Sequence, residues 1–426
     1  MIVLALCALA LLMLFFGFEM LLTMGLPALL AKLAFHPGMP DLVIAQKIMG
    51  GVNVSTLLAI PFFVFAADLM AHGVIAERLT DLVRRLMGHY PGGVGHTTVG
   101  SCMMFGAVCG SAPATVAALG RLLHPELMRA GYSEKFSLGL IASSAECALL
   151  IPPSITLIIY GWLTGTSIAA LFAGGLAVGV VLGLAFMVLV QYETWRCGAQ
   201  RAPRPSWDDR LQAGKRGSWA IGMPLLILGG IYSGGFTATE AAAVAVVYAL
   251  GVELWIYRAL DWKQVFTIAS ESAVTTVAIF VLLAMGSLLS YFITLSGVQD
   301  DLVSFIRDYK MNWVMFMLVV NVIFFIAGCF IDPNSILLVL VPTLYPVATA
   351  LGIDPVHFGL VVCLNICIGM ITPPFGLDLF VAASTLKRPV ESVIAGIWPF
   401  IAVNIVVLAI ISYVPAISTA LPKLLL

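Results

Sequence analysis

Ile371-Thr372-Pro373-Pro374-Phe375-Gly376 interrupts one long apolar stretch of this chain, and Ile151-Pro152-Pro153-Ser154 interrupts another. The two proline pairs lie 221 positions apart. Because proline lacks a backbone N–H and crowds the preceding turn, each pair predicts a broken helix. Two broken apolar helices in corresponding positions of two halves are typical of a transporter binding site.

Other prolines and glycines repeat at the same spacing, with no gap between the two copies. The matching pairs are Pro125 and Pro346, Gly131 and Gly352, and Gly175 and Gly396. Because chance rarely places several such residues in one register, this agreement indicates an internal duplication.

The composition is that of a membrane protein. Of the 426 residues, 61% are hydrophobic and only 10% are charged, and the mean hydropathy is +1.06. Segments such as 167–190 and 400–413 are long enough to cross the hydrocarbon core of a bilayer. The chain is therefore predicted to cross the lipid bilayer several times, and its net charge of −1 gives no indication of nucleic-acid binding.

The apolar segment 1–22 resembles a signal peptide only superficially. It has no basic n-region, it contains Glu19, and it continues into further apolar sequence without an A-x-A cleavage site. We interpret it as a retained membrane helix.

The eight cysteines are scattered along the chain, with Cys363 and Cys367 on one predicted helix face. No histidine lies near that pair at a spacing typical of metal ligands. The cysteines are interpreted as small apolar packing residues, with a metal site as the alternative.

Basic residues set the predicted orientation. Segment 192–218 contains six of them against three acidic residues, so the positive-inside rule assigns it to the cytoplasm. The chain outside it then forms two repeats of opposite orientation. Each repeat contains a re-entrant hairpin, 93–130 or 312–351, and a broken helix, 136–160 or 356–386.

Each predicted hairpin follows an amphipathic segment, Gly73–Met87 in the first repeat and Gly297–Tyr309 in the second. Both have charges on one face and Val, Ile and Leu on the other, which is typical of helices at a membrane interface. The predicted organisation is an N-terminal region 1–49, repeat one 50–191, a cytoplasmic loop 192–218, inter-repeat helices 219–273, repeat two 274–420 and a tail 421–426.

The hairpin tips are the main chemical candidates. Gly110-Ser111-Ala112-Pro113 interrupts the first hairpin and Asp332-Pro333-Asn334 the second, and Ser111 corresponds to Asp332. Interrupted helices expose carbonyl oxygens and helix ends with partial charges. Carbonyls, hydroxyls and one carboxylate suit a hard cation, for which sodium is the usual transport coupler, and helix N-termini favour an anionic substrate group. The alternative is that these small residues only allow tight packing.

Intramembrane polar residues are further candidates because their burial is costly. Asp332 is the strongest, Glu146 lies one turn before Pro152, and Asp378 follows the second break. Asn365 either lines the site or makes a helix–helix hydrogen bond. Glu240 is predicted to be structural, in the first turn of a helix capped by a preceding threonine.

With these features in place, the whole chain resembles the DctM-type large membrane subunit of a TRAP (tripartite ATP-independent periplasmic) transporter. The most diagnostic motif is Gly369-Met370-Ile371-Thr372-Pro373-Pro374-Phe375-Gly376-Leu377. Two others are Gly110-Ser111-Ala112-Pro113-Ala114-Thr115-Val116 and Phe236-Thr237-Ala238-Thr239-Glu240-Ala241. The chain departs from the family pattern at Ala112, where glycine is expected, and at Asp378, where asparagine is frequent.

The resemblance implies an all-α transporter of the bacterial inner membrane that imports organic anions, carboxylates or sialic acids, coupled to Na+. A small four-helix membrane subunit and a periplasmic substrate-binding protein are the implied partners. An elevator motion of the hairpins and broken helices is expected, with the amphipathic helices as arms.

The resemblance also implies the site residues. The sodium ligands are Ser111, Leu149 and Pro152 at one site and Gly328, Asp332, Gly369 and Thr372 at the other, mostly through main-chain carbonyls. The predicted substrate-binding residues are Ser111, Pro113, Thr115, Asn334, Asn365 and Asp378.

Other functions are less consistent with the sequence. A sodium/dicarboxylate symporter that works without a binding protein is the main alternative. An intramembrane enzyme would need a motif such as HExxH or GxSxG, and neither occurs. Nothing resembles a selectivity filter, and there is no P-loop for an ATP-driven pump.

Overall fold

The computed structural model describes residues 9–10, 12–13, 16–200 and 204–426, with the backbone alone at 305–307. Within these ranges the regular elements are all helical. Seven of the helices are long and apolar enough to cross a membrane, as the composition predicts. Half of the predicted membrane helix 1–22 lies outside the described residues.

The helices of the first half surround the first proline pair. They are α1 (Met20–Phe35), α2 (Asp41–Gly50), α3 (Ala59–His72), α4 (Ile75–Met87), α5 (Gly93–Cys109), α6 (Ala112–Ala130), α7 (Glu134–Ala145), α8 (Cys147–Leu150), α9 (Ile155–Thr164) and α10 (Ile168–Cys197).

The helices of the second half follow in a similar order. They are α11 (Trp207–Tyr232), α12 (Ala238–Gly251), α13 (Trp262–Leu295), α14 (Val298–Asp308), α15 (Trp313–Gly328), α16 (Pro333–Ala350), α17 (Pro355–Ile371), α18 (Leu377–Leu386), α19 (Val390–Tyr413) and α20 (Pro415–Leu425). A short π-helix, Val252–Ile256, continues α12.

The predicted helix breaks are confirmed. Helices α5 and α6 are separated only by Gly110 and Ser111, and α15 and α16 by 329–332. The two proline pairs lie in the gaps between α8 and α9 and between α17 and α18, and both Pro-Pro bonds are cis. Each half thus contains one helical hairpin and one helix with an extended interruption.

The hairpins turn where the sequence supplies caps. Gly110 ends α5 with a positive φ of 64°, a conformation that glycine adopts without a steric penalty. Ser111 caps α6, which has Pro113 in its first turn, and Asp332 caps α16, which begins with Pro333. Proline is tolerated there because the first N–H groups of a helix have no intrahelical acceptor.

The predicted amphipathic segments are the helices α4 and α14, which begin within two residues of the predicted starts. In α4 the side chains of Leu79, Leu82 and Val83 are buried, while Glu77 and Arg84 are exposed. The apolar face of α4 therefore packs inward and its charged face is left for the membrane interface.

The connections are shorter than the sequence suggests. Helix α10 continues to Cys197 and α11 begins at Trp207, so most of segment 192–218 is helical rather than a loop. The difference arises because Ser206 and Asp209 form a reciprocal capping box that begins α11 in polar sequence. Segment 421–426, predicted to be a tail, belongs mostly to α20.

The two broken helices are in direct contact. The Tyr160 hydroxyl in α9 donates a hydrogen bond to the Pro355 carbonyl at the start of α17, at 2.8 Å. A Cβ atom on Gly359 would lie 2.3 Å from the Tyr160 ring, so glycine is required for this approach. The site residues of both halves are thereby held in one packed unit.

Candidate functional site

The first candidate junction forms where the tip of hairpin one meets the first broken helix. A Cβ atom on Gly106 would lie 2.6 Å from the Ala148 Cα, and one on Gly110 would lie 2.0 Å from the Pro153 carbonyl oxygen. Glycine at both positions lets the backbones touch. This contact brings Ser111 near the Leu149–Pro152 segment, where the family resemblance implies a sodium site.

The first break leaves carbonyl oxygens without their usual helical donors. The residues four positions after Ala148 and Leu149 are Pro152 and Pro153, which have no N–H. The Ser154 hydroxyl supplies one replacement by donating to the Leu149 carbonyl. Each carbonyl oxygen has two lone pairs, so the segment retains acceptor capacity for a cation.

Ser111 offers two oxygens at this junction. Its hydroxyl caps α6 only weakly, because the Ala114 N–H lies 3.5 Å away. Its carbonyl accepts a hydrogen bond from the Thr115 hydroxyl at 2.8 Å. Pro113 and Ser111 are half-buried and Thr115 is buried, so the three form a small polar surface at the start of α6.

The second junction has the same construction. A Cβ atom on Gly369 would lie 2.4 Å from the Gly328 Cα, and the Phe375 N–H donates to the Cys329 carbonyl at 3.2 Å. Pro373 and Pro374 lack the N–H groups that would bond to the Gly369 and Met370 carbonyls in a continuous helix, and the Gly369 carbonyl accepts the Thr372 N–H at 3.0 Å instead. The predicted ligands Gly328, Gly369 and Thr372 therefore lie together.

Asp332 has a double role at the tip of hairpin two. Its Oδ2 accepts hydrogen bonds from the Asn334 and Ser335 N–H groups, each at 3.2 Å. Its Oδ1 is buried without a hydrogen-bond partner. One carboxylate oxygen thus caps α16 and the other is available for a cation, while Asn334 contributes its N–H to the cap.

The Thr372 hydroxyl is engaged within its own helix. It donates to the Ile368 carbonyl at 2.6 Å, so a cation could use only the remaining lone pairs of the hydroxyl oxygen or the Thr372 carbonyl. That carbonyl already accepts the Gly376 N–H at 3.2 Å.

Asn365 makes the helix–helix hydrogen bond that the sequence left open. Its amide donates to the Asn321 side-chain oxygen in α15 and to the Val361 carbonyl, both at 2.9 Å. Its own Oδ1 is buried without a partner, and its carbonyl lies 3.7 Å from a Cβ placed on Gly328. Asn365 therefore lies beside the second junction and also ties α17 to hairpin two.

Glu146 and Asp378 are fully buried. Glu146 Oε2 accepts a hydrogen bond from the Asn404 amide at 3.0 Å. Glu146 Oε1 and both Asp378 oxygens have no partner. Within the part of the chain that is described, no lysine or arginine side chain forms an ion pair with either.

The sequence did not identify Asn404 as the partner of Glu146, or Asn321 as the partner of Asn365. Asn321 lies in the otherwise apolar helix α15, and Asn404 lies in the apolar middle of α19, away from the polar residues near its ends. That isolation is the signal that could have marked them as candidates. By contrast, Glu240 has the predicted structural role, because it forms a reciprocal capping box with Thr237.

The donor set decides which ions fit. The described residues contain no group of three or more His, Cys, Asp or Glu side chains arranged to hold a metal ion. Both junctions instead offer carbonyl and hydroxyl oxygens, with the buried, unpartnered Asp332 Oδ1 at the second. Oxygen donors of this kind fit a hard cation such as sodium.

A cavity of 490 Å³ lies elsewhere, between the end of the first broken helix and the segments 54–56 and 231–239. Trp162 and the threonines Thr56, Thr166, Thr237 and Thr239 line it. None of the predicted site residues belongs to its lining, so the cavity and the two junctions are separate features.

Comparison with known proteins identifies the family. Residues 4–417 match the model of the family described as the tripartite ATP-independent periplasmic transporter, DctM component. The chain belongs to this family.

Curated TRAP large permeases match over almost the whole chain. The ectoine TRAP transporter large permease protein TeaC of Halomonas elongata is 36% identical, covering 97% of both chains. The C4-dicarboxylate large permease DctM of Pseudomonas aeruginosa is 37% identical over 94% of both chains. The sialic acid large permease SiaM of Vibrio cholerae is 35% identical over 90% of both chains.

Solved structures share the fold. The YdaH transporter of Alcanivorax borkumensis superposes with a TM-score of 0.63 over 89% of both chains, at 14% sequence identity. MtrF of Neisseria gonorrhoeae superposes with a TM-score of 0.55 over 86% of this chain and 82% of that one, at 15% identity.

Membership of this family confirms two predictions. This TRAP large permease is an integral protein of the bacterial inner membrane, as its apolar helices indicate. It is a transporter subunit and not an enzyme, which removes the intramembrane enzyme from consideration.

Proposed function

We propose that this TRAP large permease is the membrane carrier of a sodium-coupled importer of organic acids. The main support for the proposal is a pair of corresponding junctions, Gly106 against Ala148 and Gly328 against Gly369. At each, a hairpin tip meets a broken helix whose prolines leave carbonyl oxygens without helical donors. Two such sites around one centre suit a substrate bound between coupling ions.

Inverted repeats are part of the proposal. Helix α6 shifted by 221 positions covers 333–351, and α16 is Pro333–Ala350. Gly131 and Gly352 both have positive φ after these helices. The Cys367 thiol donates to the Glu146 carbonyl at 3.8 Å, and these two positions correspond at the same shift. Contact between corresponding positions is expected where a pseudo-two-fold axis passes.

The two sodium sites would differ in charge. Ser111 with the Leu149 and Pro152 carbonyls forms a neutral first site. Gly328, Gly369 and Thr372 with Asp332 Oδ1 form an anionic second site, and that unpartnered oxygen supports a cation there. Sodium at these positions would supply positive charge facing the substrate.

The substrate would lie between the hairpin tips, near Ser111, Pro113, Thr115, Asn334, Asn365 and Asp378. The N-termini of α6 and α16 would direct the positive ends of their helix dipoles toward an anionic group, while the Asn334 and Ser335 N–H groups of α16 are bonded to Asp332. The relatives' names include ectoine, C4-dicarboxylates and sialic acid, all at similar identity. We therefore propose a small carboxylate-bearing molecule as the substrate class, without a choice among these three.

The proposed transport step is an elevator motion. Hairpins α5–α6 and α15–α16 would move with the broken helices against the N-terminal region and helices α11 to α13. The amphipathic helices α4 and α14 would be the arms between these two parts. The direct contact of Tyr160 with Pro355 and Gly359 supports one moving unit that includes both halves.

A small four-helix membrane subunit and a periplasmic binding protein are the proposed partners. The family description, a tripartite periplasmic transporter, supports both. Outward apolar side chains on the proposed scaffold helices support a membrane partner, since Leu225, Val247 and Phe266 are more than 60% exposed. The same surface suits lipid, so the partner has to be tested directly.

Uptake by proteoliposomes tests the proposal. The chain is reconstituted with its small subunit, an inward sodium gradient is imposed, and labelled succinate, sialic acid and ectoine are offered with and without the cognate binding protein. We expect uptake of one of them that requires both sodium and the binding protein. Uptake that needs sodium alone would instead favour a binding-protein-independent symporter, and uptake that is indifferent to sodium would contradict the coupling.

A further inference from the structure

A second polar groove lies away from the hairpin tips, where α4 meets α11 and α6. It has a volume of 290 Å³, and four arginines line it, Arg78, Arg84, Arg85 and Arg216. We call it the arginine groove. Its carboxylates are Glu77, Asp81 and Glu126, so the lining has one more positive than negative group.

Two of the four arginines are neutralised locally. Arg84 pairs with Asp81 at 2.6 Å and with Glu126 at 3.0 Å. Arg85 pairs with Asp81 at 3.0 Å and with Asp209 at 3.5 Å. Although partial burial alone would raise the pKa of Asp81, the hydrogen bonds from Arg84 and Arg85 hold that pKa below its usual value. Asp81 is therefore ionised, and each of its two carboxylate oxygens is paired with one of these arginines.

The other two arginines have no carboxylate partner within the described ranges. Arg78 and Arg216 form no ion pair there, although Glu77 also lines the groove. Arg78 lies over the Tyr257 ring, with 5.7 Å from its guanidinium carbon to the ring centroid. The Tyr257 hydroxyl donates to the Arg216 carbonyl at 2.6 Å. Tyr257 thus contacts the side chain of Arg78 and the main chain of Arg216, and so holds both residues at the same groove.

A close helix crossing places these arginines on opposite walls. Gly217 follows Arg216 in α11, and a Cβ atom there would lie 3.4 Å from the Leu82 side chain and 3.7 Å from the Arg78 carbonyl oxygen. The two guanidinium-bearing positions therefore face each other across the crossing of α4 and α11. Guanidinium groups present planar forks of donors, which match a phosphate better than a lysine does.

The surroundings are positive as well. Arg210 contacts the His89 ring at 3.3 Å, and burial together with the charges of Arg210 and Arg204 lowers the pKa of His89. The positive-inside rule assigns this face to the cytoplasm. The inner leaflet there carries anionic lipids that attract basic segments next to the membrane.

We propose that the arginine groove binds the phosphate of an anionic phospholipid headgroup, with Arg78 and Arg216 as its ligands. A lipid source is favoured over a soluble phosphate because the groove is amphipathic. Leu122 of α6 forms part of its wall and is 39% exposed, and Leu86 of α4 is 48% exposed. An acyl chain can cover these side chains while the headgroup reaches the arginines. Such a lipid would connect the arm α4 to α11.

The test measures lipid retention by the full chain. The protein is placed in nanodiscs of phosphatidylcholine with or without phosphatidylglycerol, and retained lipid is measured by native mass spectrometry after mild extraction. Arg78→Gln/Arg216→Gln is compared with Arg129→Gln, which removes an exposed arginine of α6 that is not part of the groove lining. A parallel arm adds inorganic phosphate and follows the thermal unfolding midpoint.

We expect retained phosphatidylglycerol to fall about tenfold or more in the double variant, because charge-assisted hydrogen bonds to the phosphate are lost, and to be unchanged in Arg129→Gln. Arg78→Lys/Arg216→Lys keeps the charge without the fork, and intermediate retention would support phosphate recognition even if the glutamine variant folds poorly. Equal retention by wild type and double variant would overturn the proposal. Stabilisation by inorganic phosphate without phosphatidylglycerol retention would overturn the lipid assignment.

Discussion

The two hairpin tips have one architecture and two kinds of chemistry. Hairpin one turns at Gly110 and is capped by the neutral Ser111, whose hydroxyl lies 3.5 Å from the N–H that it caps. Hairpin two is capped by Asp332, which accepts two N–H groups through Oδ2 and leaves Oδ1 unpartnered. The two tips therefore share their backbone geometry, while the charge is concentrated in the second half of the chain.

The backbone contact also differs between the tips. At the first junction a glycine with positive φ touches the carbonyl of a broken-helix proline. At the second, two glycines touch through their Cα atoms, and an N–H from the broken helix donates to the hairpin. Close packing is common to both junctions, because a Cβ atom on Gly106 would lie 2.6 Å from the Ala148 Cα. The first junction differs in its glycine of positive φ, and the second in its hydrogen bond between hairpin and broken helix.

The largest expected effect is at Gly110. Gly110→Ala places a Cβ 2.0 Å from the Pro153 carbonyl oxygen and forces a non-glycine residue to φ +64°, so we expect uptake to be lost. Gly131→Ala is the matched control, because Gly131 also has positive φ, +95°, but no atom lies within 4 Å of its Cβ position. The strain alone costs about 1–3 kcal/mol.

Measuring uptake and the thermal unfolding midpoint of the two variants distinguishes backbone strain from the steric clash with Pro153. We expect both to lower the midpoint, and only Gly110→Ala to abolish sodium-driven uptake in protein that still folds. If Gly131→Ala also abolished uptake, the contact between hairpin one and the broken helix would not be the feature that matters.

Asp332→Asn tests the charge difference directly. Asparagine can still cap α16, so the helix should persist while the anionic oxygen is lost. We expect the sodium concentration for half-maximal uptake to rise about tenfold, which corresponds to about 1.4 kcal/mol. The measurement is the sodium dependence of initial uptake rates, with thermal unfolding as the control for folding. An unchanged sodium dependence would mean that Oδ1 does not face a cation.

The sequence predicts these features with unequal success. Helix breaks, caps and hairpin bounds depend on nearby residues such as Gly110, Pro152 and Asp332, so local rules locate them within a few positions. The bond between Glu146 and Asn404 joins residues 258 positions apart, and the arginine groove needs three helices to meet. Such contacts depend on how the helices pack, so a single sequence can mark Asn404 as an isolated intramembrane polar residue but cannot identify Glu146 as its partner.

Ser111→Ala, at the neutral tip, is expected to have a smaller effect than Asp332→Asn. The hydroxyl is a weak cap at 3.5 Å, so its loss should cost less than the about 1 kcal/mol typical of an N-cap. We expect a shift of about threefold in the sodium dependence of uptake, which corresponds to less than about 1 kcal/mol, because the main-chain carbonyls of the first site remain. A shift as large as that of Asp332→Asn would show that the hydroxyl is a principal ligand and that the neutral site is not built mainly from carbonyls.

The smallest effect is expected for Thr115→Val, which keeps the shape of the side chain and removes the hydrogen bond to the Ser111 carbonyl. Loss of that donor leaves the carbonyl with more acceptor capacity, so sodium dependence should change by about twofold or less, within the range of one weak hydrogen bond. Substrate affinity separates the two roles of Thr115. If the half-saturating substrate concentration rises while the sodium dependence stays constant, the hydroxyl contacts substrate. If only the sodium dependence changes, Thr115 acts solely through its hydrogen bond to the Ser111 carbonyl. Hairpin one would then have a neutral ligand whose strength Thr115 adjusts, whereas hairpin two has a ligand with a fixed charge.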